Sequence, residues 1–427
     1  MEPNPRALAV SLMRAVMDQH RALDEAMAGD ARLAALDPRD RAFCRTLVAT
    51  TLRRLGQIDA LLKGHLRRPL PARAAPVRQA LRLGAAQLLF LGLPAHAAVG
   101  ETVGVVEGLG FAGLKGLANA VLRRLADDGP AALAAQDAPR LALPGWLWGR
   151  WVAAYGEATT RAIAAALLEE PPLDISVKGD APAWAARLGA VVLPTGSLRR
   201  PLGGRIEDLP GYAEGEWWVQ DAAATLPARL LGEVRGRDLI DLCAAPGGKT
   251  AQLAAAGARV IAVDRSEPRL ARLQANLRRL GLPARAVAAD AGTWQPPAPA
   301  DAVLLDAPCS ATGTLRRHPD VAHLKRPEDI GRLAALQARL LRNALAMLRP
   351  GGTLVYCVCS LEPEEGPGVV EAALAEGIAQ RLPVAAGEIG GLAECLTPAG
   401  DLRTLPCHLA AAGGLDGFYA ARLRRPG

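Results

Sequence analysis

From about residue 236 the chain alternates short β-type runs with amphipathic helical runs, and three of the β-type runs end in aspartate. "RDLIDLCA" leads through the loop "APGGKT" into a helical stretch, and "ARVIAVD" leads into "PRLARLQANLRRLGL". "ARAVAAD" and "DAVLLDAP" follow, then the long run "EDIGRLAALQARLLRNALAML" and the β-type "TLVYCVCS". Successive βα units imply a doubly wound, mainly parallel sheet with ligands at the carboxyl ends of its strands. Arg349-Pro350-Gly351-Gly352 reads as the stop of the long helix.

The first loop, Cys243-Ala244-Ala245-Pro246-Gly247-Gly248-Lys249, follows a strand and opens a helix. Its glycines let backbone approach a ligand closely. The spacing from first glycine to Lys249 is too short for a phosphate-binding Walker loop. Asp264 closes the next strand 17 residues after Gly247, where an acid hydrogen-bonds a ribose diol. Asp290 and Asp306 close the third and fourth strands. A lone strand-end aspartate is as often a helix cap as a ligand contact. Three on one sheet edge beside a glycine loop point to a nucleoside cofactor.

Cys309 lies three residues past Asp306, and Cys359 stands at the end of the following strand, ahead of Pro363 and two acids. In a parallel sheet these ends are neighbours, which would bring Asp306, Cys309 and Cys359 together. The chain has 7 cysteines in all. Their odd, scattered count is unlike a secreted disulfide framework, so a reducing cytoplasm is expected. The Cys-x-Cys of Cys357 and Cys359 is not zinc spacing, and His318 and His323 lie far from a second cysteine pair, so no metal is expected. Cys44, Cys243, Cys395, Cys407 and mid-strand Cys357 read as small, inert residues.

Residues 1–130 carry apolar positions at helical spacing, broken at Asp37-Pro38, Pro69-Leu70-Pro71, Leu93-Pro94 and Asp128-Gly129-Pro130, as in a helix bundle. They hold 18 Lys+Arg against 12 Asp+Glu, nearly all of the chain's +7. No acid occurs from Ala60 to Gly100, while Lys63, Arg67, Arg68, Arg73, Arg78 and Arg82 do, which suggests either a solvated basic face or a polyanion-binding one. Residues 131–235 read as a small α+β connecting subdomain. There "EEPPLDISVKGD" turns from helix to strand, and "GYAEGEWWVQDAAATLPARLL" reads as a hairpin leading into a helix. No apolar run approaches the ~20 residues of a membrane span. Met1-Glu2-Pro3-Asn4-Pro5 lacks the basic-then-apolar layout of a leader.

"DLCAAPGGKT", "VLLDAPCSATGTLRRHPD" and "VYCVCSLEPEE" resemble the signature motifs of the RNA cytosine-5 methyltransferases of the Sun/Fmu class. "HAAVGETVGVVEGLGFAGLKGLANAVLRRL" is similar to that family's N-terminal NusB-like domain. The resemblance implies an α/β Rossmann-like class I methyltransferase domain (236–427), preceded by an all-α NusB-like, RNA-binding helix bundle (1–130) and the connecting segment (131–235). It implies S-adenosyl-L-methionine as cofactor, held by Cys243 to Lys249, with Asp264 at the ribose, Asp290 near the adenine and Asp306 near the methionine end and the target base. Cys359 would be the nucleophile and Cys309 would assist product release. A thiolate suits the chemistry, because C5 of cytosine becomes nucleophilic only after addition at C6.

The NusB-like segment favours 16S rRNA as the RNA partner, with tRNA as the alternative, and a monomer is expected. A non-catalytic RNA-binding factor is the reading of a different class, and the presence of all three site residues opposes it. An amino-methyltransferase would carry Pro-Tyr or Pro-Trp where Pro308-Cys309 stands. The chain departs from the family's common form at Cys357-Val358, where Ala-Thr is usual, at Gly366 and at Lys178, where Asn is frequent.

Overall fold

The computed structural model describes residues 4–427; Met1–Pro3, where the leader reading begins, lie outside them. The chain divides into two compact units. One comprises the described residues up to Glu169 together with Leu315–Arg326, and the other comprises Glu170–Thr314 and Pro327–Gly427.

The first unit is helical. Asn4 accepts from the Arg6 and Ala7 amides and Pro5 opens the first helix, Pro5–Met17; Asp37 and Pro38 open Pro38–Arg53 in the same way. The Asp-Pro pair is thus a cap and a first helical residue, which satisfies amides that have no partner within the helix. Leu55–His65, Ala75–Leu89, Ala95–Gly108 and Lys115–Ala134 complete the bundle around Leu12, Met13, Leu47, Ile58, Leu81 and Leu122. The expected break at Asp128-Gly129-Pro130 is absent: Lys115–Ala134 runs through Pro130, and helix continues in Gly145–Tyr155 and Glu157–Leu168. Arg82 does not join a basic face. It is buried, and its Nε and Nη2 meet the two Asp59 oxygens at 2.7 and 2.6 Å. Residues 315–326 pack within this unit: Asp320 Oδ2 accepts from the Leu23 amide at 2.9 Å, and the Arg316 carbonyl accepts from Arg53 Nη2 at 2.7 Å.

The second unit holds two sheets. In the smaller, β1 (Leu173–Val177), β2 (Val191–Val192), β3 (Leu198–Arg200) and β4 (Trp217–Val219) run in the order β2-β3-β1-β4, all antiparallel. The expected hairpin before the Ala222–Arg229 helix is absent, because β4 pairs with β1, some forty residues earlier. Buried Arg199 holds both oxygens of buried Asp174 at 2.6 and 2.7 Å and also donates to the Ala412 and Gly414 carbonyls. The guanidinium thereby fastens this sheet to the larger one's C-terminal segment.

The larger sheet contains β5 (Asp238–Leu242), β6 (Arg259–Asp264), β7 (Arg285–Ala288), β8 (Ala300–Asp306), β9 (Leu348–Val358), β10 (Gln380–Arg381), β11 (Leu402–Thr404) and β12 (Phe418–Arg424). Its order is β10-β12-β9-β8-β5-β6-β7, with β11 on β12. The run from β9 to β7 is parallel and β12 is antiparallel to β9, as in a doubly wound sheet carrying a reversed strand. The long helix ends at Ala346, and Arg349-Pro350-Gly351-Gly352 is not a linker but a bulge at the start of β9. Leu348 already pairs with Ala300, the next pair is Thr353 with Ala302, and Gly351 turns at φ +75°. Among the described residues no helix is long and apolar enough to cross a membrane.

Candidate active site

The carboxyl ends of β5, β6 and β8 and the segment after β7 open on a cavity of about 280 Å³. Cys243, Ala245, Asp264, Asp290, Asp306, Cys309 and Cys359 all line it. Ala244, Pro246, Gly247, Gly248 and Lys249 of the predicted loop do not. Gly247 takes φ +103° with its Cα packed on Leu273, where an added Cβ would lie 2.8 Å from the Leu273 side chain. The glycine is therefore required by the turn and by close packing. Cys243, at φ +59°, is a rare non-glycine residue in the left-handed region, and burial pushes its thiol up to about 12.

Asp264 is buried and its oxygens accept from the Ser266 amide at 2.9 Å and the Ala245 amide at 3.2 Å, so it fixes the loop's path as well as facing the cavity. Asp290 is exposed and accepts from the Gly292 amide at 2.8 Å. Lys249 does not face the cavity as a phosphate-binding lysine would. Its Nζ lies 2.8 Å from Asp306 Oδ2. Burial works against that ammonium, but Asp306, Cys357 and Cys359 outweigh it and raise its pKa.

The loops after β8 and β9 bring two thiols together: Cys309 Sγ and Cys359 Sγ are 3.4 Å apart. The contact with Cys359, followed by burial, raises the Cys309 pKa well above its ordinary value. Cys357 is fully buried, as expected of a core residue, yet its Sγ also lies 3.6 Å from Asp306 Oδ1. Asp306 is thus held on one oxygen by Lys249 and on the other by Cys357. Lys178 donates to the Leu280 carbonyl at 3.0 Å and is not among the cavity's lining residues. A Cβ at Gly366 would meet Arg403 Nη2 at 2.8 Å and the Tyr419 ring at 3.0 Å, so the glycine makes room for both.

Sequence reasoning missed Arg265, Arg269, Leu336 and Arg339, which also line the cavity. Arg269 Nη1 sits 3.6 Å from Asp264 and the same guanidinium holds the Ala245 carbonyl. Its place in the chain could have pointed to it, since Arg269 stands in the first turn of the Glu267–Leu280 helix that follows strand-end Asp264. Leu336 and Arg339 come from the Pro327–Ala346 helix, whose sequence carries only an amphipathic pattern.

A cavity lined by Asp264, Asp290 and Asp306 at the carboxyl edge of a doubly wound sheet, with two thiols 3.4 Å apart on its wall, marks a Rossmann-like methyltransferase domain. Residues 228–424 match the model of the "16S rRNA methyltransferase RsmB/F" family, and residues 3–127 match that of the NusB family. The ribosomal RNA small subunit methyltransferase B of Pseudomonas putida is 38% identical over 439 residues, covering 98% of each chain. That of Vibrio cholerae is 37% identical over 391 residues, covering 87% of this chain and 89% of its own. The chain belongs to the RsmB/F family of 16S rRNA methyltransferases. Among solved structures, PH0851 aligns over 100% of both chains with a TM-score of 0.74 at 21% identity. A methyltransferase homolog from Pyrococcus horikoshii aligns over 67% of this chain and 96% of its own with a TM-score of 0.55 at 28% identity.

Proposed function

We propose that this chain transfers a methyl group from S-adenosyl-L-methionine to C5 of a cytosine in 16S rRNA through a covalent adduct with Cys359. The observation that carries the reading is the 3.4 Å approach of Cys309 and Cys359 at the edge of a cavity that Asp264, Asp290 and Asp306 also line.

The cavity fits the cofactor by its chemistry. Asp264 and Asp290 offer acceptors for a ribose and an adenine amino group, and Cys243 and Ala245 bring loop backbone to its edge. The cofactor supplies an electrophilic sulfonium methyl group. The protein's part begins at Cys359, whose thiolate attacks C6 of the base while Asp306 hydrogen-bonds its N3 edge. The buried Lys249 ammonium stands beside them, 2.8 Å from Asp306 Oδ2. Addition at C6 makes C5 enamine-like, and C5 takes the methyl group. Cys309 is placed to assist as the base that takes the C5 proton, which re-forms the C5–C6 double bond and expels the Cys359 thiolate. The base must be unpaired or flipped for a thiol to reach C6, which favours a structured RNA with single-stranded loops.

In this reading residues 1–130 hold RNA, 131–235 connect, and 236–427 carry out the transfer, in a monomer. All seven cysteines are free, which suits the cytoplasm. The test is transfer of labelled methyl to unmodified small-subunit rRNA. Cys359→Ala is expected to be inactive, and Cys309→Ala to accumulate a denaturation-resistant protein–RNA adduct. Full activity in Cys359→Ala overturns the mechanism.

A further inference from the structure

One buried carboxylate beside the site is bound by both cysteine loops and takes no part in the chemistry above. Glu365 is 0% exposed. Its Oε1 accepts from the Ser310 amide at 2.8 Å and from Gln337 Nε2 at 3.0 Å. Its Oε2 accepts from the Ser360 hydroxyl at 2.5 Å and from the Ser310 hydroxyl. Ser310 and Ser360 are the residues immediately after Cys309 and Cys359, and their hydroxyls lie 3.0 Å apart.

The rest of the neighbourhood fixes where that carboxylate stands. The Tyr356 hydroxyl, in β9, donates to the Glu365 carbonyl at 2.5 Å. Gln337, on the long helix, donates at 2.9 Å to the carbonyl of Pro308, the residue just before Cys309. Charge-assisted hydrogen bonds are among the stronger ones, and a buried carboxylate without its donors would carry a large desolvation cost. The cheapest arrangement is therefore the one in which both serines stay on the same carboxylate. That arrangement sets the spacing of the two thiols that precede them.

We propose that Glu365 is a positioning residue that holds Cys309 and Cys359 at reacting distance by binding the residue after each. The inference rests on the reading of those two cysteines as nucleophile and assistant. Glutamine is the discriminating replacement. It keeps the shape but loses the charge and one acceptor: its oxygen can keep the Ser310 amide and Gln337, while its NH₂ must donate to the Ser310 and Ser360 hydroxyls, which have to turn from donors into acceptors.

The experiment uses the full chain with Glu365→Gln. Steady-state methyl transfer is expected to show a kcat lower by about 100-fold, the scale of a misplaced reacting group, with the KM for the cofactor unchanged. In the absence of RNA, diamide takes one hydrogen from each thiol, becoming a hydrazine and leaving a Cys309–Cys359 disulfide that peptide mapping detects. Its formation is expected to slow by about tenfold, as removal of a charge-assisted hydrogen bond would give. A purely structural role would lower the melting temperature and leave both rates of the folded protein unchanged. Wild-type kcat together with a wild-type disulfide rate overturns the proposal. If Glu365→Gln does not melt cooperatively, Ser360→Ala is read in the same two assays, and wild-type values there overturn it equally. The disulfide arm needs no RNA. A wild-type chain inactive on rRNA would therefore sink the function while a slowed variant disulfide still supported the positioning role.

Discussion

Asp241, in β5, is the most buried acid of the cofactor edge, at 0% exposure. Thr250 donates to its Oδ2 at 2.6 Å, and its Oδ1 has no hydrogen-bond partner. Burial pushes its carboxyl up to about 7, opposed by the Thr250 hydroxyl and reinforced by Asp306. The folded pKa lies above the unfolded one, so the folded chain keeps the extra proton between about pH 4 and about pH 7. The associated stability is complete below the unfolded value and is lost as pH rises through about 7. Asp241→Asn holds the neutral form at every pH. In urea melts, the stability difference between variant and wild type is expected to grow in the variant's favour from pH ~5 to ~8. A pH-independent difference would place the carboxylate's charge elsewhere. Residues of this kind were partly legible. Three strand-end aspartates announced the cavity, but the partner of each oxygen did not follow from them. Cys357 shows the gap. Side chains alternate along a strand, so Cys357 faces the same side as Cys359, and that period was sufficient to bring its thiol toward Asp306.

The elements that carry the site are held by a crossing of two backbones. The Gly313 amide donates to the Cys359 carbonyl at 3.0 Å, and the Gly417 amide, just before β12, donates to the Gly313 carbonyl at 2.8 Å. A Cβ at Gly313 would sit 1.9 Å from the Gly417 carbonyl oxygen. Backbone cannot swing aside as a flexible side chain does, so Gly313→Ala must displace either the Cys309 loop or β12. It is expected to cost about 1–3 kcal/mol of stability and to lower methyl transfer, measured by chemical denaturation and rRNA assay on the same preparation. Unchanged activity would mean that the two loops tolerate separation. Order and type of the parallel strands were readable because hydrophobic runs and breakers are local signals. The partner of β4 was not, since a three-residue strand carries no information about whether it pairs with its neighbour or with a strand far away. Arg349-Pro350-Gly351-Gly352 follows the end of the helix at Ala346 as read, but the same proline and glycines also form a bulge, and only the pairing of Leu348 with Ala300 shows it.

Across the whole chain the charge is concentrated, and the structure sorts which cations can meet a polyanion. Composition placed nearly all of the excess in residues 1–130, but it could not tell Arg82, bound to Asp59, from its neighbours, nor foresee that Leu315–Arg326 belongs to the helical unit. Within that unit Lys63, Arg67, Arg68, Arg73 and Arg124 are exposed. Arg67, Arg68 and Arg124 rim a groove of about 690 Å³ with Leu66, Leu70 and Leu117 among its lining. Cations on such a surface bind phosphates without reading sequence, and each neutralised phosphate releases counterions, so affinity falls with salt. Replacing Lys63, Arg67, Arg68 and Arg124 together by Gln should weaken rRNA binding about equally for all sequences. It should also reduce the slope of log K against log salt by about 0.7–0.9 for every phosphate that is no longer neutralised. Filter binding across a salt series measures that slope. The kcat at saturating rRNA should stay at the wild-type value, because none of these four residues lines the catalytic cavity. A slope equal to that of the wild type would show that this basic face is only a solvated one, and that the RNA is held elsewhere.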